Sequence, residues 1–298
     1  MKNLKLLISS LTAAVTILIS PIFYGAAETY GGKLQYITSG DGIIITGAVN
    51  NPEVLDIPSK INGKEVIEIR ENAFFKCRTL ESINIPETVE RLGHHAFYGC
   101  TALKSATIES ELSKIENGCF YGCSSLKSLD LPDSVTEIED YSLFGCSRLE
   151  RIKLPKNIVN IGQYSFSGCG ALESIIIPDG TLNIGDYAFF RCDRLGNAII
   201  PDTVMSMGKF SFGFTGGPKL SAVQSFTITG SEKSNAKIYA DKNSLCFSDI
   251  ESTPKPHREI NFSRIIKYAM IALSVIFSAL FLKLGIDSMT ISKRVRNY

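Results

Sequence analysis

A solenoid, mainly β with short helical turns, set between an export signal and a membrane-spanning helix, is the fold this sequence predicts. Three observations carry it. Cys77, Cys100, Cys123, Cys146, Cys169 and Cys192 recur every 23 residues, and Thr215 stands where a seventh would fall. Three residues before each of these positions come Phe74, Phe97, Phe120, Leu143, Phe166, Phe189 and Phe212, and three after come Leu80, Leu103, Leu126, Leu149, Leu172 and Leu195. Two long apolar runs, Leu6 to Ile22 and Ile265 to Leu284, lie outside this repeating block. A strict period of this length marks units that cannot bury their apolar side alone and must stack into a continuous core.

Within the unit beginning at Ile69, Ala73, Phe74 and Cys77 share one face of a helical turn. Leu80, Ile83 and Ile85 then switch to L-x-x-L-x-L spacing, whose last part alternates with the period of a strand. Pro86, recurring as Pro132, Pro155, Pro178 and Pro201, ends that strand, because proline donates no amide hydrogen and fixes φ. Val89 and Leu92, and later Val135 and Ile138, predict a second extended edge before Gly93, Gly162, Gly185 and Gly208 turn the chain. About seven rungs at ~4.8 Å spacing give a core on the order of 30 Å long.

L-x-x-L-x-L within 20 to 29 residues is the leucine-rich repeat pattern. The repeats IGQYSFSGCGALESIIIP and IGDYAFFRCDRLGNAIIP resemble more narrowly the BspA-type leucine-rich repeats of bacterial surface proteins, over about Leu34 to Ile250. The resemblance implies a cell-surface protein that adheres to host or neighbouring-cell components. One departure stands out: no asparagine ladder follows the strand, and Thr88 occupies the first candidate position.

Residues 1–27 read as a signal peptide, with Lys2 and Lys5 before the apolar run and Gly25-Ala26-Ala27 at a cleavage site; an uncleaved anchor is the other reading. Residues 28–68 form an N-terminal cap with short β runs at Leu34 to Ile37, Ile43 to Thr46 and Val54 to Ile57. Terminal rungs are atypical because they close an open core. The 23-residue repeats occupy 69–215, and 216–250 form a C-terminal cap. There Ser234 caps a helix with Ala236, Tyr239 and Ala240 as its apolar stripe, and Leu245 to Phe247 return as a strand. A linker at 251–264 leads to the apolar segment 265–284, whose Lys267 and Lys283 lie near its ends. Twenty residues at ~1.5 Å each span about the 30 Å of a bilayer core. Ser274 and Ser278 are a small-xxx-small pair, the spacing at which membrane helices pair. With the solenoid exported, residues 285–298 form a short cytoplasmic tail.

The formal charge of +1 conceals an acidic solenoid. Two basic residues precede Glu28 and five follow Arg264, which leaves 24 Lys and Arg against 29 Asp and Glu between them and the tail's Asp287. No basic stripe is offered to phosphate, so nucleic acid is not an expected partner. Eight cysteines in an exported chain invite disulfides. Cysteines at one position of successive rungs, however, have parallel Cβ vectors about 5 Å apart, wider than the ~3.8 Å a disulfide wants. They are read as small buried hydrophobes. Cys119 and Cys123 are an i,i+4 pair without a histidine at ligand spacing, so neither a metal nor a cofactor is expected.

In such a solenoid the side chains alternating with the buried strand residues make the binding surface. They run Ser82 and Asn84, Ser105 and Thr107, Ser128 and Asp130, Arg151 and Lys153, Ser174 and Ile176, Asn197 and Ile199. The last three rungs put a basic pair beside two outward isoleucines, rimmed by Glu150 and Glu173, and this marks Asp130, Arg151, Lys153, Ser174, Ile176 and Ile199 as the candidate partner site. The competing reading is that the cap or the loop around Leu220 covers the isoleucines. Tyr141, Tyr164, Tyr187 and Phe210 form a second column, either a platform for sugar rings or a shield over the solenoid.

Catalysis has little to draw on. His94 and His95 are adjacent on a turn and His257 lies in the linker, so no nucleophile has a histidine and carboxylate at a spacing this fold would converge. Two functions compete: a single-pass surface protein that binds an extracellular protein or glycan, and a membrane-proximal accessory subunit of an envelope complex. The tether from Asp249 to Arg264 extends at most about 55 Å, which keeps the solenoid near its bilayer.

Overall fold

The computed structural model describes residues 27–216 and 220–250, all within one compact unit, Met1–Glu251. The expected signal peptide up to residue 26, the linker 251–264, the apolar segment 265–284 and the tail 285–298 lie outside the described residues. Among the described residues no helix is long and apolar enough to cross a membrane.

The repeats stack as parallel rungs in a register set by the 23-residue period. On one face Ser82 pairs with Ser105, Ser128 with Arg151 and Ser174 with Asn197. The second extended edge forms its own parallel sheet through Lys114–Ile115, Glu137–Ile138, Asn160–Ile161, Asn183–Ile184 and Ser206–Met207. Between these edges the three sequence columns fill the interior. Phe74, Phe97, Phe120, Leu143, Phe166, Phe189 and Phe212 are buried, as are Leu80 through Leu195 in their column. The phenyl rings stack at 5.3 Å (Phe74–Phe97), 5.1 Å (Phe97–Phe120), 4.9 Å (Phe166–Phe189) and 4.5 Å (Phe189–Phe212), with Leu143 interrupting the stack. Each fully buried ring contributes about 2–3 kcal/mol of hydrophobic stabilisation.

The segment expected as a helical turn is not helical. From Asn72 to Cys77 the amides alternate in direction. Ala73, Phe75 and Cys77 donate three residues back, to Arg70, Asn72 and Phe74, while Asn72, Phe74 and Lys76 donate to His94, Ala96 and Tyr98 of the next rung. A helix needs every amide for its own i→i−4 ladder. Stacking takes half of them, so a chain of tight turns forms instead, with Asn72 and Lys76 at φ of 58° and 57°.

A recurring proline turn and, in the first rung, a threonine hydroxyl serve where an asparagine ladder is missing. Each strand-ending proline carbonyl accepts the amide three residues on, as in Pro132 to Val135 at 3.1 Å and Pro155 to Ile158 at 3.2 Å. Thr88, at the asparagine position, donates from Oγ1 to the Val66 carbonyl at 2.8 Å. The glycines expected to turn the chain act by close approach. A Cβ on Gly93 would lie 2.3 Å from the Glu71 amide nitrogen, and one on Gly185 2.5 Å from that of Gln163.

Both ends of the stack are closed. At the start Glu28–Tyr30, Leu34–Ser39 and Gly42–Ala48 form an antiparallel meander, whose last strand pairs in parallel with Lys64–Ile69. Val54–Asp56 stacks on Ser82–Ile85 in the register of the later rungs. At the far end the single helix among the described residues, Asn235–Asn243, is capped by Ser234, whose side chain accepts from the Lys237 amide, and buries Ala236, Tyr239 and Ala240. Thr227–Gly230 and Cys246–Asp249 extend the strand face beyond Asn197–Ile199.

Candidate functional site

Every cysteine is free. The five buried cysteines of the repeat column are more than apolar filler, because each of their thiols points at the carbonyl of the core residue in the preceding rung. Sγ of Cys100, Cys123, Cys146, Cys169 and Cys192 lies 3.1, 3.2, 3.3, 3.4 and 3.3 Å from the carbonyl oxygens of Phe74, Phe97, Phe120, Leu143 and Phe166. Burial pushes the Cys100 and Cys146 thiols up to about 12 and raises those of Cys119, Cys123 and Cys169 well above the usual range. A protonated thiol is a donor and not a nucleophile, so this column is scaffold.

On the strand face the alternation holds. Ile83, Ile85, Leu129, Ile175, Ile177, Ala198 and Ile200 are buried. Asp130, Arg151, Lys153, Ser174 and Ile176 are exposed, and Ile199 is half-buried. Register brings Asp130 beside Lys153 and Ile176 beside Ile199, in one column running along the stack. The cap's strand covers Ile199 in part, since Thr229 is its register partner, but Ile176 remains 64% exposed. Leu220, the loop residue that might have shielded it, is itself exposed. On either side polar side chains tie neighbouring rungs together, Asn84 to Asp56 at 3.1 Å and Thr229 to Asn197 at 2.9 Å. Asp130, Arg151 and Lys153 take part in none of the close ion pairs among the described residues, although Lys156, helped by Lys153, holds the Asp133 carboxyl below its usual pKa.

The tyrosine column is a shield in its geometry. Tyr141–Tyr164 and Tyr164–Tyr187 stack face to face at 5.1 and 4.7 Å, within 9° and 1° of parallel. Both faces of Tyr164 are therefore occupied by neighbouring rings, as is one face each of Tyr141 and Tyr187, and stacking on a sugar needs a free face. The sequence reading missed a companion column one residue after Phe74, Phe97, Phe120 and Leu143, formed by Phe75, Tyr98, Tyr121 and Phe144 and stacked at 5.0, 4.5 and 4.7 Å. The two columns meet where Tyr141 and Phe144 approach to 6.0 Å. Their 23-residue spacing was the signal that would have found the second.

His94 and His95 part as expected. His95 turns its ring edge-on to Tyr98 at 5.6 Å. His94 instead reaches Glu116 and Glu139 of the next two rungs, with Nε2 3.2 Å from Glu116 Oε2 and Nδ1 3.9 Å from Glu139 Oε2.

Stacked parallel rungs with a recurring inward pattern of phenylalanine, cysteine and leucine columns define a leucine-rich repeat solenoid. The chain belongs to the BspA type leucine rich repeat family, whose model matches in six copies across residues 56–172 and 115–238. Among solved structures it is similar to a leucine-rich repeat protein of T. pallidum, at 24% identity over 74% of this chain and 98% of that one, with a TM-score of 0.43. A leucine-rich repeat protein from Bacteroides ovatus is 21% identical over 68% of this chain and 71% of its own, with a TM-score of 0.34. A leucine rich cell surface protein from Faecalibacterium prausnitzii is 23% identical over 63% and 74%, with a TM-score of 0.35. Comparison with curated proteins found no match.

Proposed function

We propose that this chain is a non-enzymatic recognition module of the cell surface, held at its membrane by residues 265–284, that binds a protein partner through the strand face. The column Asp130, Lys153, Ile176, Ile199 carries this reading. It places acidic, basic and aliphatic side chains on consecutive rungs, with an isoleucine 64% exposed between them. A rigid, ladder-stiffened face with an apolar centre and exposed charges at its rim has the composition of an interface. Flanking Arg151 and Ser174 widen the patch. A protein partner is preferred to a glycan, because the tyrosine column spends most of its ring faces on its own stacking.

A second reading, an accessory subunit that binds a neighbour in the same envelope, is favoured by the short tether, whose reach of about 55 Å holds the solenoid close to its bilayer. Both readings use the same face and differ in where the partner comes from. Arg151→Glu combined with Ile176→Ser abolishes capture of the partner from intact cells at unchanged thermal stability, since both side chains are exposed. Capture by the double variant at the level of the parent removes this face from consideration. Envelope neighbours among the captured proteins favour the accessory role; proteins of another cell favour adhesion.

A further inference from the structure

Two rungs break the repeat at the position where stacking wants glycine. A Cβ on Gly93, Gly162, Gly185 or Gly208 would meet backbone of the preceding rung at 2.3, 2.6, 2.5 and 2.3 Å, yet the two intervening rungs carry Glu116 and Glu139 in that column. Glu139 has a structural use: its Oε2 accepts the Asn117 amide at 2.9 Å and its Oε1 accepts from Lys114 at 2.6 Å. Glu116 does not. Its side chain is only 3% exposed, and its Oε2 has no hydrogen-bond partner.

What faces that oxygen is a second ligand. His94 Nε2 stands 3.2 Å away, and the nearest donor atoms of His94, Glu116 and Glu139 all lie within 4.8 Å of one another. Lys114 Nζ is 3.4 Å from the same oxygen, and Arg91, which also bonds Glu68, is 3.7 Å from Glu116 Oε1. None of these contacts has hydrogen-bond geometry at Oε2. The oxygen is thus buried among cationic groups that reach it by charge alone, without a directed hydrogen bond. His94 is 45% exposed, which leaves the cluster open to solvent on one side.

We propose that His94, Glu116 and Glu139 bind a divalent transition-metal ion of the zinc class, which ties three successive rungs together. One imidazole and two carboxylates are ligand types zinc accepts at about 2.0–2.2 Å, with water completing a four-coordinate shell. The imidazole disfavours calcium and magnesium, which take oxygen ligands. Lys114 is the built-in competitor: its ammonium contacts both carboxylates, and at 39% exposure it has solvent to swing into when metal enters.

The test is zinc titration of the metal-stripped, detergent-solubilised full chain, read by calorimetry and by thermal melting. One zinc per chain binds at this site and raises the melting temperature, while calcium and magnesium do neither. His94→Ala and Glu116→Gln each remove that equivalent, whereas Cys246→Ser, at an exposed thiol, leaves it in place. Lys114→Ala tightens zinc binding roughly tenfold by removing the competing charge. Zinc binding that survives both His94→Ala and Glu116→Gln overturns the proposal, as does the absence of zinc binding in both the parent and Lys114→Ala.

Discussion

The Tyr239 hydroxyl closes the stack by meeting both backbone groups of Phe212: it accepts from the amide at 3.0 Å and donates to the carbonyl at 3.1 Å. In earlier rungs the same amide goes to the following rung, Phe97 to the Cys119 carbonyl and Phe189 to the Ser211 carbonyl at 2.8 Å each. Phe212 has no such rung above it, and one phenol from the capping helix takes the place of a missing repeat. Tyr239→Phe keeps the ring and leaves both groups buried without partners. It lowers stability by about 2 kcal/mol, and hydrogen exchange at the Phe212 amide accelerates while that at Phe97 is unchanged. Equal acceleration at both amides would contradict a local cap.

The thiol ladder makes stability fall in alkali. Burial raises the folded-state thiol pKa, to about 12 for Cys100 and Cys146, above the ~8.5 of an unfolded cysteine. Above pH ~8.5 the unfolded chain therefore holds fewer protons than the folded one, and each such thiol withdraws about 1.4 kcal/mol per pH unit until its folded pKa is reached. Full stability is present below pH ~8.5. Urea denaturation between pH 7 and pH 10 checks this, with a progressively earlier midpoint at the higher pH values. At pH 8 a thiol reagent should modify Cys246 rapidly, half-buried Cys77 slowly and the other six only after denaturation.

Close stacking makes Gly185 intolerant of a side chain and leaves Gly170 indifferent. A Cβ on Gly185 would sit 2.5 Å from the Gln163 amide nitrogen, and one on Gly170 has nothing within 4 Å. Gly185→Ala costs about 1–3 kcal/mol through overpacking, and Gly170→Ala changes stability by less than about 0.5 kcal/mol. Thermal melts of the two variants side by side make the comparison.

The solenoid was legible because the period does the work of a fold prediction: a column repeated at 23 residues must face either the core or solvent, and the phenylalanine, cysteine and leucine columns were apolar. The in-and-out alternation at Ile83 and Ile85 likewise gave the outward residues around Ile176. What the pattern did not give is direction of hydrogen bonds. Helical spacing at Ala73, Phe74 and Cys77 looks the same whether the amides point along the segment or to the next rung. Nor did residue type distinguish a cysteine that fills space from one that donates to Phe97. The meeting of His94 with Glu116 and Glu139 was hidden for a related reason: the partners lie 22 and 45 residues on, so only the stacking of rungs brings them together.

The strand face is the contact surface proposed for this protein, and its occupancy can be read in place. A photo-cross-linking residue is introduced at Ile176 in one full-length variant and at Tyr164 in another, and each is irradiated in the native envelope. Cross-links to a defined partner from position 176, lost on adding Arg151→Glu and absent from position 164, are the predicted result. Cross-links from position 164 with none from position 176 would contradict it.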